Sequence, residues 1–186
     1  MAVQATIRVR PYRRDDRAHV LALAPRLSEW VAPWRDPGAV LTAVHGWVQD
    51  SIDALSQPGH AVYVATDGGT IVGVVTVSEH AHFTGQADAY VGELAVRTGM
   101  ERRGIATQLM AAAETWAADR GLPFLTLETG AANRPARQLY RALGYQEEDV
   151  RLTKPIAPGG SNARTQISAR RQPDLADPRP GRPQSS

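Results

Sequence analysis

Short β-rich runs and amphipathic helical patterns alternate along residues 1–156. Runs of β-branched and aromatic residues bounded by Gly or Pro indicate strands, and apolar residues that recur every three or four positions indicate helices. The Asp67-Gly68-Gly69 step between two such runs is typical of a β-hairpin. The pattern predicts strands at Thr6–Arg10, Ala61–Ala65, Ile71–Val77, Tyr90–Val96, Phe124–Glu128 and Val150–Lys154.

Four segments between these strands carry helical periodicity. The first follows a capping residue at Asp15 or Asp16 and reaches toward Ala24, and the second begins after Pro37. The remaining two are defined by the spacing of their apolar residues. These residues are Ile105, Leu109, Ala112 and Trp116 in the third helix, and Ala136, Leu139, Tyr140 and Leu143 in the fourth.

The composition changes near Pro155. Residues 157–186 are rich in Pro, Arg, Ser, Gln and Asp and hold few large apolar side chains. Such a segment cannot offset its ordering entropy by burial, so we expect a folded domain over 1–156 and a disordered tail over 157–186. An interaction role for the basic tail stays open.

Composition and charge exclude several classes of function. The 186 residues are 42% hydrophobic and 22% charged with a formal net charge of +2, which favours neither nucleic acid nor membrane as a partner. The absence of cysteine excludes disulfides, thiolate nucleophiles and cysteine metal sites. Neither a signal-peptide pattern nor an apolar run of about 20 residues is present, so we expect a cytoplasmic protein.

The segment 94–107 is the first with candidate chemistry. A predicted strand ends, a loop turns, and a helix begins at Gly104-Ile105-Ala106. The first turn of a helix offers free N–H groups that bind an anion such as a pyrophosphate, and Gly104 permits close approach. Arg102 and Arg103 add cationic donors. By itself, this segment fits an ordinary helix start with two solvated arginines equally well.

The segment 133–145 is the second. Asn133 is placed to cap a helix, Pro135 is tolerated in its first turn, and Gly144 fits its end. Taken alone, Tyr140 is interpreted equally simply as an aromatic residue that packs in the core.

Together, the two segments carry a resemblance to a known family. The pattern Asn-x-x-Ala-x-x-Leu-Tyr-x-x-x-Gly-Tyr over 133–145 follows Arg-Arg-Gly-x-Ala over 102–106, and this pair resembles the GNAT superfamily of N-acetyltransferases. The resemblance spans about Thr6–Pro155. It implies an α+β fold with a mixed, mostly antiparallel central sheet of six to seven strands, about four flanking helices, and fourth and fifth strands that splay apart.

The resemblance further implies acetyl-CoA as co-substrate and no metal. The pantetheine arm would pair with the fourth strand, and the N–H of Leu94 would donate to the thioester carbonyl. Glu101 departs from the family, which usually has Gln or Arg there, and a carboxylate is unfavourable beside a pyrophosphate. The expected cofactor-binding residues are Leu94, Ala95, Val96, Arg102, Arg103, Gly104, Ile105, Ala106, Thr107, Asn133 and Tyr140.

The activity implied is direct attack of a primary amine on the thioester, without a protein nucleophile. Tyr140 matches the family's general acid, which protonates the departing thiolate. Glu93 on the fourth strand is the expected base, with Tyr90 and Glu128 as alternatives. A strand alternation would place Glu93 and Leu94 on opposite faces, although family members carry a bulge here.

The resemblance also implies an acceptor pocket formed by the first two helices and their link, Glu29–Asp36. Trp30 and Trp34 in this link either bind a cationic amine or simply pack. A small-molecule amine is the preferred acceptor, and a homodimer is possible for this family. Three other functions stay open: a non-catalytic acyl-CoA sensor, a protein N-terminal acetyltransferase and a lysine acetyltransferase.

Overall fold

Five strands form a single sheet in the computed structural model, which describes residues 6–156. The spatial order follows the chain from β1 to β5, with antiparallel pairing from β1 to β4 and parallel pairing between β4 and β5. The strands are β1 (Arg8–Pro11), β2 (His60–Asp67), β3 (Thr70–Ala81), β4 (Ala87–Val96) and β5 (Leu125–Leu127).

The expectation of six to seven strands is wrong for the described chain. The predicted strand at Val150–Lys154 has no strand pairing there, and residues 148–156 form neither helix nor strand. Val150 and Leu152 are 76% and 89% exposed. Alternation of apolar and charged residues suggested a strand, but a strand also needs a neighbour for its N–H and C=O groups.

The predicted hairpin between β2 and β3 is confirmed. Gly68 and Gly69 form its two-residue turn with φ of 57° and 87°. Positive φ at both central positions matches a turn whose twist fits the flanking strands, and glycine adopts it without a Cβ clash. This turn therefore helps to set the register of β2 against β3.

Four α-helices flank the sheet, as predicted. The first is shorter than expected because the chain turns at Ala22 and continues in 3₁₀ geometry through Pro25. Asp36 caps the second helix by accepting the N–H of Ala39 at 2.7 Å. The helices are α1 (Arg17–Leu21), α2 (Pro37–Asp53), α3 (Ile105–Asp119) and α4 (Arg134–Ala142).

Each face of the sheet has its own apolar core. α3 supplies half of the buried residues of the first core, and Tyr140 of α4 and Leu143 directly after it pack against this core. α1 and α2 cover the opposite face with residues that include Val20, Val48 and Ile52. The sheet is thus buried on both sides, and the side chains of β4 divide between the two cores.

Within the described residues, the chain up to Glu147 forms one unit by its internal contacts. The expected tail at 157–186 lies outside the described residues, so the proposed boundary stays a prediction. None of the helices within 6–156 combines the length and apolar character needed to cross a bilayer.

Leu109 offers a test of the first core. It is fully buried, and its Cδ1 lies 3.0 Å from where a Cβ on Gly73 would stand. We expect Leu109→Ala to lower the free energy of unfolding by about 2–5 kcal/mol, because it leaves a cavity. Urea denaturation measures this loss. Leu41→Ala is the control, since Leu41 is 41% exposed on α2 and should change stability by less than about 1 kcal/mol. Equal losses would contradict this packing.

Candidate active site

β5 pairs over its whole length but covers only the first half of β4. Their register runs Ala89 to Leu125, Tyr90 to Thr126 and Val91 to Leu127, where β5 ends while β4 continues to Val96. Beyond Val91, the outer edge of β4 therefore has no partner strand within residues 6–156. Because β5 ends at Leu127 instead of continuing beside β4, the expected splaying of the fourth and fifth strands stays a prediction.

The direction of the backbone along this edge follows from one hydrogen bond. The N–H of Arg97 donates to the carbonyl of Val72 on β3 at 2.8 Å. Because N–H direction alternates along a strand, the N–H groups of Leu94 and Val96 point away from β3. The unpaired edge thus offers main-chain donors of the kind that an extended ligand uses for pairing.

A β-bulge lies where the two strands separate. Val77 pairs with Val91 and Val75 with Leu94, so Thr76 alone stands opposite both Gly92 and Glu93. The bulge directs these two residues to the face of α2, since a Cβ on Gly92 would meet Thr76 Oγ1 at 3.0 Å. Leu94 packs against the α3 core on the other face. Glu93 and Leu94 therefore lie on opposite faces.

Glu93 is only 6% exposed and is held by two hydroxyl groups. Ser51 Oγ donates to Glu93 Oε2 at 2.9 Å, and Thr76 Oγ1 donates to the same oxygen. Thr76 Oγ1 also accepts the N–H of Glu93 at 3.0 Å. The carboxylate is thus fixed between α2 and β3 and is not an ordinary solvated strand residue.

A cleft of about 210 Å³ adjoins this network on the α2 face. The side chains that line it are mostly polar, and Gly92 forms the wall nearest to the unpaired edge of β4. The lining residues are Asp50, Ser51, Ala54, His60, Ala61, Thr76, Val77, Ser78 and Gly92.

The N-terminus of α3 carries no side-chain cap. Gly104 is the N-cap at φ 74°, and Arg102 also has positive φ at 61°. The first N–H with a helical acceptor is that of Gln108, which donates to the carbonyl of Gly104 at 3.1 Å. The N–H groups of residues 105–107 are left for an anion, and a Cβ on Gly104 would meet no atom within 4 Å.

The charged side chains around this helix start are partly engaged. Arg103 pairs with Asp67 at 3.1 Å, while Arg102 is exposed. Ile105 turns its side chain into the core, so only its backbone faces the loop.

Glu101, the departure from the family pattern, is paired with a cation. Arg26 Nη2 donates to Glu101 Oε1 at 2.7 Å, and Arg26 Nε donates to the carbonyl of Val96 at 2.8 Å. Backbone N–H groups of Glu101 and Gly99, together with Arg26, hold the pKa of the Glu101 carboxyl below its ordinary value. Because Arg26 also pairs with Glu29, it offsets the negative charge of Glu101 next to the candidate anion site only in part.

α4 places Tyr140 at the edge of the α3 core. Asn133 caps the helix by accepting the N–H of Ala136 at 3.2 Å, as predicted, and Gly144 follows the helix end at φ 92°. The Tyr140 ring meets Tyr145 edge-on at 5.8 Å. Burial raises the pKa of Tyr140 to about 12, and no group in residues 6–156 hydrogen-bonds its hydroxyl.

The link before α2 leaves both of its tryptophans accessible. Trp30 and Trp34 are 44% and 57% exposed, so neither is a core residue. The backbone of the link lies close to the loop before α4, because a Cβ on Gly130 would stand 2.7 Å from the Trp30 carbonyl oxygen. This close approach requires glycine at position 130.

Four residues near the candidate site were not singled out from the sequence: Arg26, Ser51, Thr76 and Gly92. Their contacts near the site are with residues that are distant in the sequence, so no short sequence pattern predicts them. Among the described residues, no group of three or more His, Asp or Glu side chains is arranged to hold a metal ion.

Comparison with known proteins decides the family. A family model described as acetyltransferase (GNAT) matches residues 25–145, more than half of the chain. The chain belongs to the GNAT acetyltransferase family. The match contains the unpaired edge of β4, the uncapped start of α3 and the whole of α4.

Relatives of this GNAT chain are similar at moderate levels. The uncharacterized N-acetyltransferase YycN of Bacillus subtilis is 32% identical over 71 residues, which are 38% of this chain and 46% of YycN. The match thus spans about half the length of that relative.

Solved GNAT structures share the fold. A GCN5-related N-acetyltransferase from Ralstonia eutropha JMP134 aligns with a TM-score of 0.63 at 22% identity, covering 82% of this chain and all of that chain. The aminoglycoside N-acetyltransferase AAC(6')-Iy in complex with CoA aligns with a TM-score of 0.61 at 18% identity, covering 85% and 99%.

Thr76→Val tests the network around Glu93. Valine keeps the shape of threonine but leaves Glu93 with one hydroxyl donor fewer and its N–H without an acceptor. We expect the free energy of unfolding to fall by about 1–3 kcal/mol in urea denaturation. Thr115→Val is the matched control, because the Thr115 hydroxyl is exposed and bonds only a helix carbonyl. A Thr76→Val variant as stable as this control would contradict the network.

Proposed function

We propose that this GNAT chain is an N-acetyltransferase that moves the acetyl group of acetyl-CoA directly onto a primary amine. The observation that carries the proposal is the succession of an unpaired β4 edge and an uncapped α3 start within residues 92–107. One offers main-chain donors to an extended arm, and the other offers free N–H groups to a pyrophosphate. Family membership supports the same assignment.

Acetyl-CoA would lie with its pyrophosphate at the N–H groups of Ile105, Ala106 and Thr107. Arg102 is free to reach a phosphate, whereas Arg103 would first have to share or leave Asp67. The cofactor would therefore be held mainly by backbone N–H groups. These donors stay available although residue 101 is a glutamate. Arg26, which also pairs with Glu29, offsets part of the charge of that carboxylate.

The pantetheine arm would run along Leu94, Ala95 and Val96. The carbonyl of Val96 already accepts from Arg26, but a carbonyl oxygen has a second lone pair for the arm. The side-chain oxygen of Asn133 already accepts the helix-cap hydrogen bond, so its amide NH₂ is the group available to the cofactor.

The reaction needs a hydrogen-bond donor fixed near the thioester oxygen and a group that protonates the sulfur as it leaves. The N–H of Leu94 would stabilise the negative charge that develops on the thioester oxygen as the amine attacks. Tyr140 would protonate the departing sulfur. With a pKa of about 12, its phenol stays protonated at neutral pH, and burial that raises the phenol pKa also raises that of a thiol in the same cleft.

The acceptor we favour is a polar small-molecule amine. Several structures that share this fold are named as aminoglycoside acetyltransferases, one of them bound to the bisubstrate analogue CoA-S-monomethyl-acetylneamine. That similarity is below 25% identity, so the support is for the class of small amine and not for an aminoglycoside as such.

Gly104→Val tests the cofactor site. A valine side chain would occupy the open space over the N-terminus of α3, so acetyl-CoA affinity should fall at least about tenfold by calorimetry. Gly121→Val is the control, because Gly121 has a similar φ of 67° in open space at the other end of α3. Unchanged affinity in folded Gly104→Val, or equal loss in both variants, would contradict the placement.

Tyr140→Phe tests the general acid. Removing the hydroxyl keeps the ring and its packing, and turnover should fall by about 10²–10⁴-fold with little change in acetyl-CoA affinity. Because the phenol pKa is about 12, wild-type turnover should show no decline from phenol ionisation below about pH 11. Steady-state release of free thiol, followed as a function of pH, measures the turnover and its pH dependence. Tyr63→Phe, another half-buried tyrosine, is the control, and nearly full turnover in Tyr140→Phe would contradict the role.

A further inference from the structure

The hydroxyl of Ser51 stands between Glu93 and the polar cleft on the α2 face. On the basis of the proposed function, we infer that this cleft binds the ammonium end of a small hydroxyl-bearing amine. We further infer that Ser51 passes one ammonium proton to Glu93. Ser51 would then be a catalytic residue.

The two hydroxyls that hold Glu93 differ in their remaining capacity to accept hydrogen bonds. Thr76 Oγ1 donates to the carboxylate and accepts the N–H of Glu93, so it is engaged in both senses. Ser51 Oγ donates to Glu93 Oε2 and accepts from no group in residues 6–156. Its free lone pairs are therefore the ones available to an ammonium donor.

Glu93 itself does not line the cleft, whereas Ser51 does. A substrate in the cleft thus meets the hydroxyl before the carboxylate, which is 6% exposed. Gly92 of β4 also lines the cleft and has no side chain to fill it. A Cβ at this position would stand 3.9 Å from Ser51 Oγ, so Gly92 and Ser51 are close neighbours. The cleft therefore adjoins the strand position where the thioester would lie.

The charges around the cleft favour a cation. Asp50 lines it on α2, and Glu93 lies behind Ser51 on β4. His60 on β2 is the other titratable group in the lining, and its Nδ1 lies 3.2 Å from the carbonyl oxygen of Pro58. Neither Lys nor Arg is among the lining residues, and β3 contributes only the neutral Thr76, Val77 and Ser78.

The size of the cleft limits the substrate. Its volume of about 210 Å³ is below the roughly 300–1,000 Å³ of pockets that enclose a whole drug-sized ligand. It therefore receives the amine end of a molecule. Because the hydroxyl-bearing Ser78 also lines it, the favoured amine carries a hydroxyl group near its nitrogen.

The proton steps balance as follows. The ammonium gives a proton to Ser51 Oγ while the Ser51 hydroxyl proton moves to Glu93 Oε2, which leaves a neutral amine, an intact serine and a protonated Glu93. The amine nitrogen then forms the new C–N bond as the C–S bond breaks. The second proton, lost from nitrogen after attack, restores the one that Tyr140 gives to sulfur, and Glu93 releases its proton to solvent.

The test compares Ser51→Ala with Ser51→Thr, which keeps a hydroxyl. Turnover with saturating acetyl-CoA is measured from about pH 6 to 10, with 2-aminoethanol and glucosamine as acceptors and cyclohexylamine as an apolar amine. With 2-aminoethanol, we expect Ser51→Ala to lose at least about tenfold in kcat near neutral pH, with the loss shrinking as pH approaches the pKa of this alkylamine, about 10. With glucosamine, whose neighbouring oxygens make the amine a weaker base, the loss should disappear at a lower pH. Ser51→Thr should recover most of the activity, and cyclohexylamine should be the poorest acceptor.

Thr42→Ala is the matched control, because its hydroxyl lies on the same helix and bonds only the carbonyl of Gly38. Acetyl-CoA affinity should be equal in all variants. The relay is overturned if Ser51→Ala keeps its kcat, or if its loss is independent of pH. A wild-type chain that binds acetyl-CoA but acetylates no amine would contradict the proposed function itself, and the relay with it.

Discussion

β4 must keep its pairing with β3 while it separates from β5, and the candidate site depends on how the backbone meets that constraint. Pairing with β5 stops at Val91, and the bulge follows at once at Gly92 and Glu93. An extra residue in one strand switches the alternation of its side chains. Glu93 therefore faces α2, while Leu94 stays with the α3 core and leaves its N–H on the open edge.

The same arrangement explains why groups for two ligands lie on the two sides of one strand. The open edge of β4 leads within a few residues to the uncapped start of α3 at Gly104. The α2 face carries the carboxylate of Glu93 and the polar cleft. Arg26 links the two sides, since it bonds the Val96 carbonyl and pairs with both Glu29 and Glu101. A thioester on the open edge of β4 and an amine in the cleft on the α2 face would meet near Gly92.

Local signals allowed much of this structure to be predicted. The Asp67-Gly68-Gly69 hairpin, the helix start at Gly104 and the cap at Asn133 each depend on a few neighbouring residues, and all three are confirmed. Contacts between distant residues were not predictable in this way. Ser51 lies 42 positions from Glu93 and Arg26 lies 75 from Glu101, so neither pair leaves a pattern in the sequence. The predicted strand at Val150–Lys154 was wrong because alternation alone does not supply a pairing partner.

A crystal structure of the chain with bound CoA would test the central claim most directly. We expect the pyrophosphate to accept the N–H groups of residues 105–107 and the pantetheine arm to follow the open edge of β4 at Leu94. The CoA sulfur should then lie within hydrogen-bond distance of the Tyr140 hydroxyl. CoA bound elsewhere on the chain, or bound here with its sulfur far from Tyr140, would contradict the account.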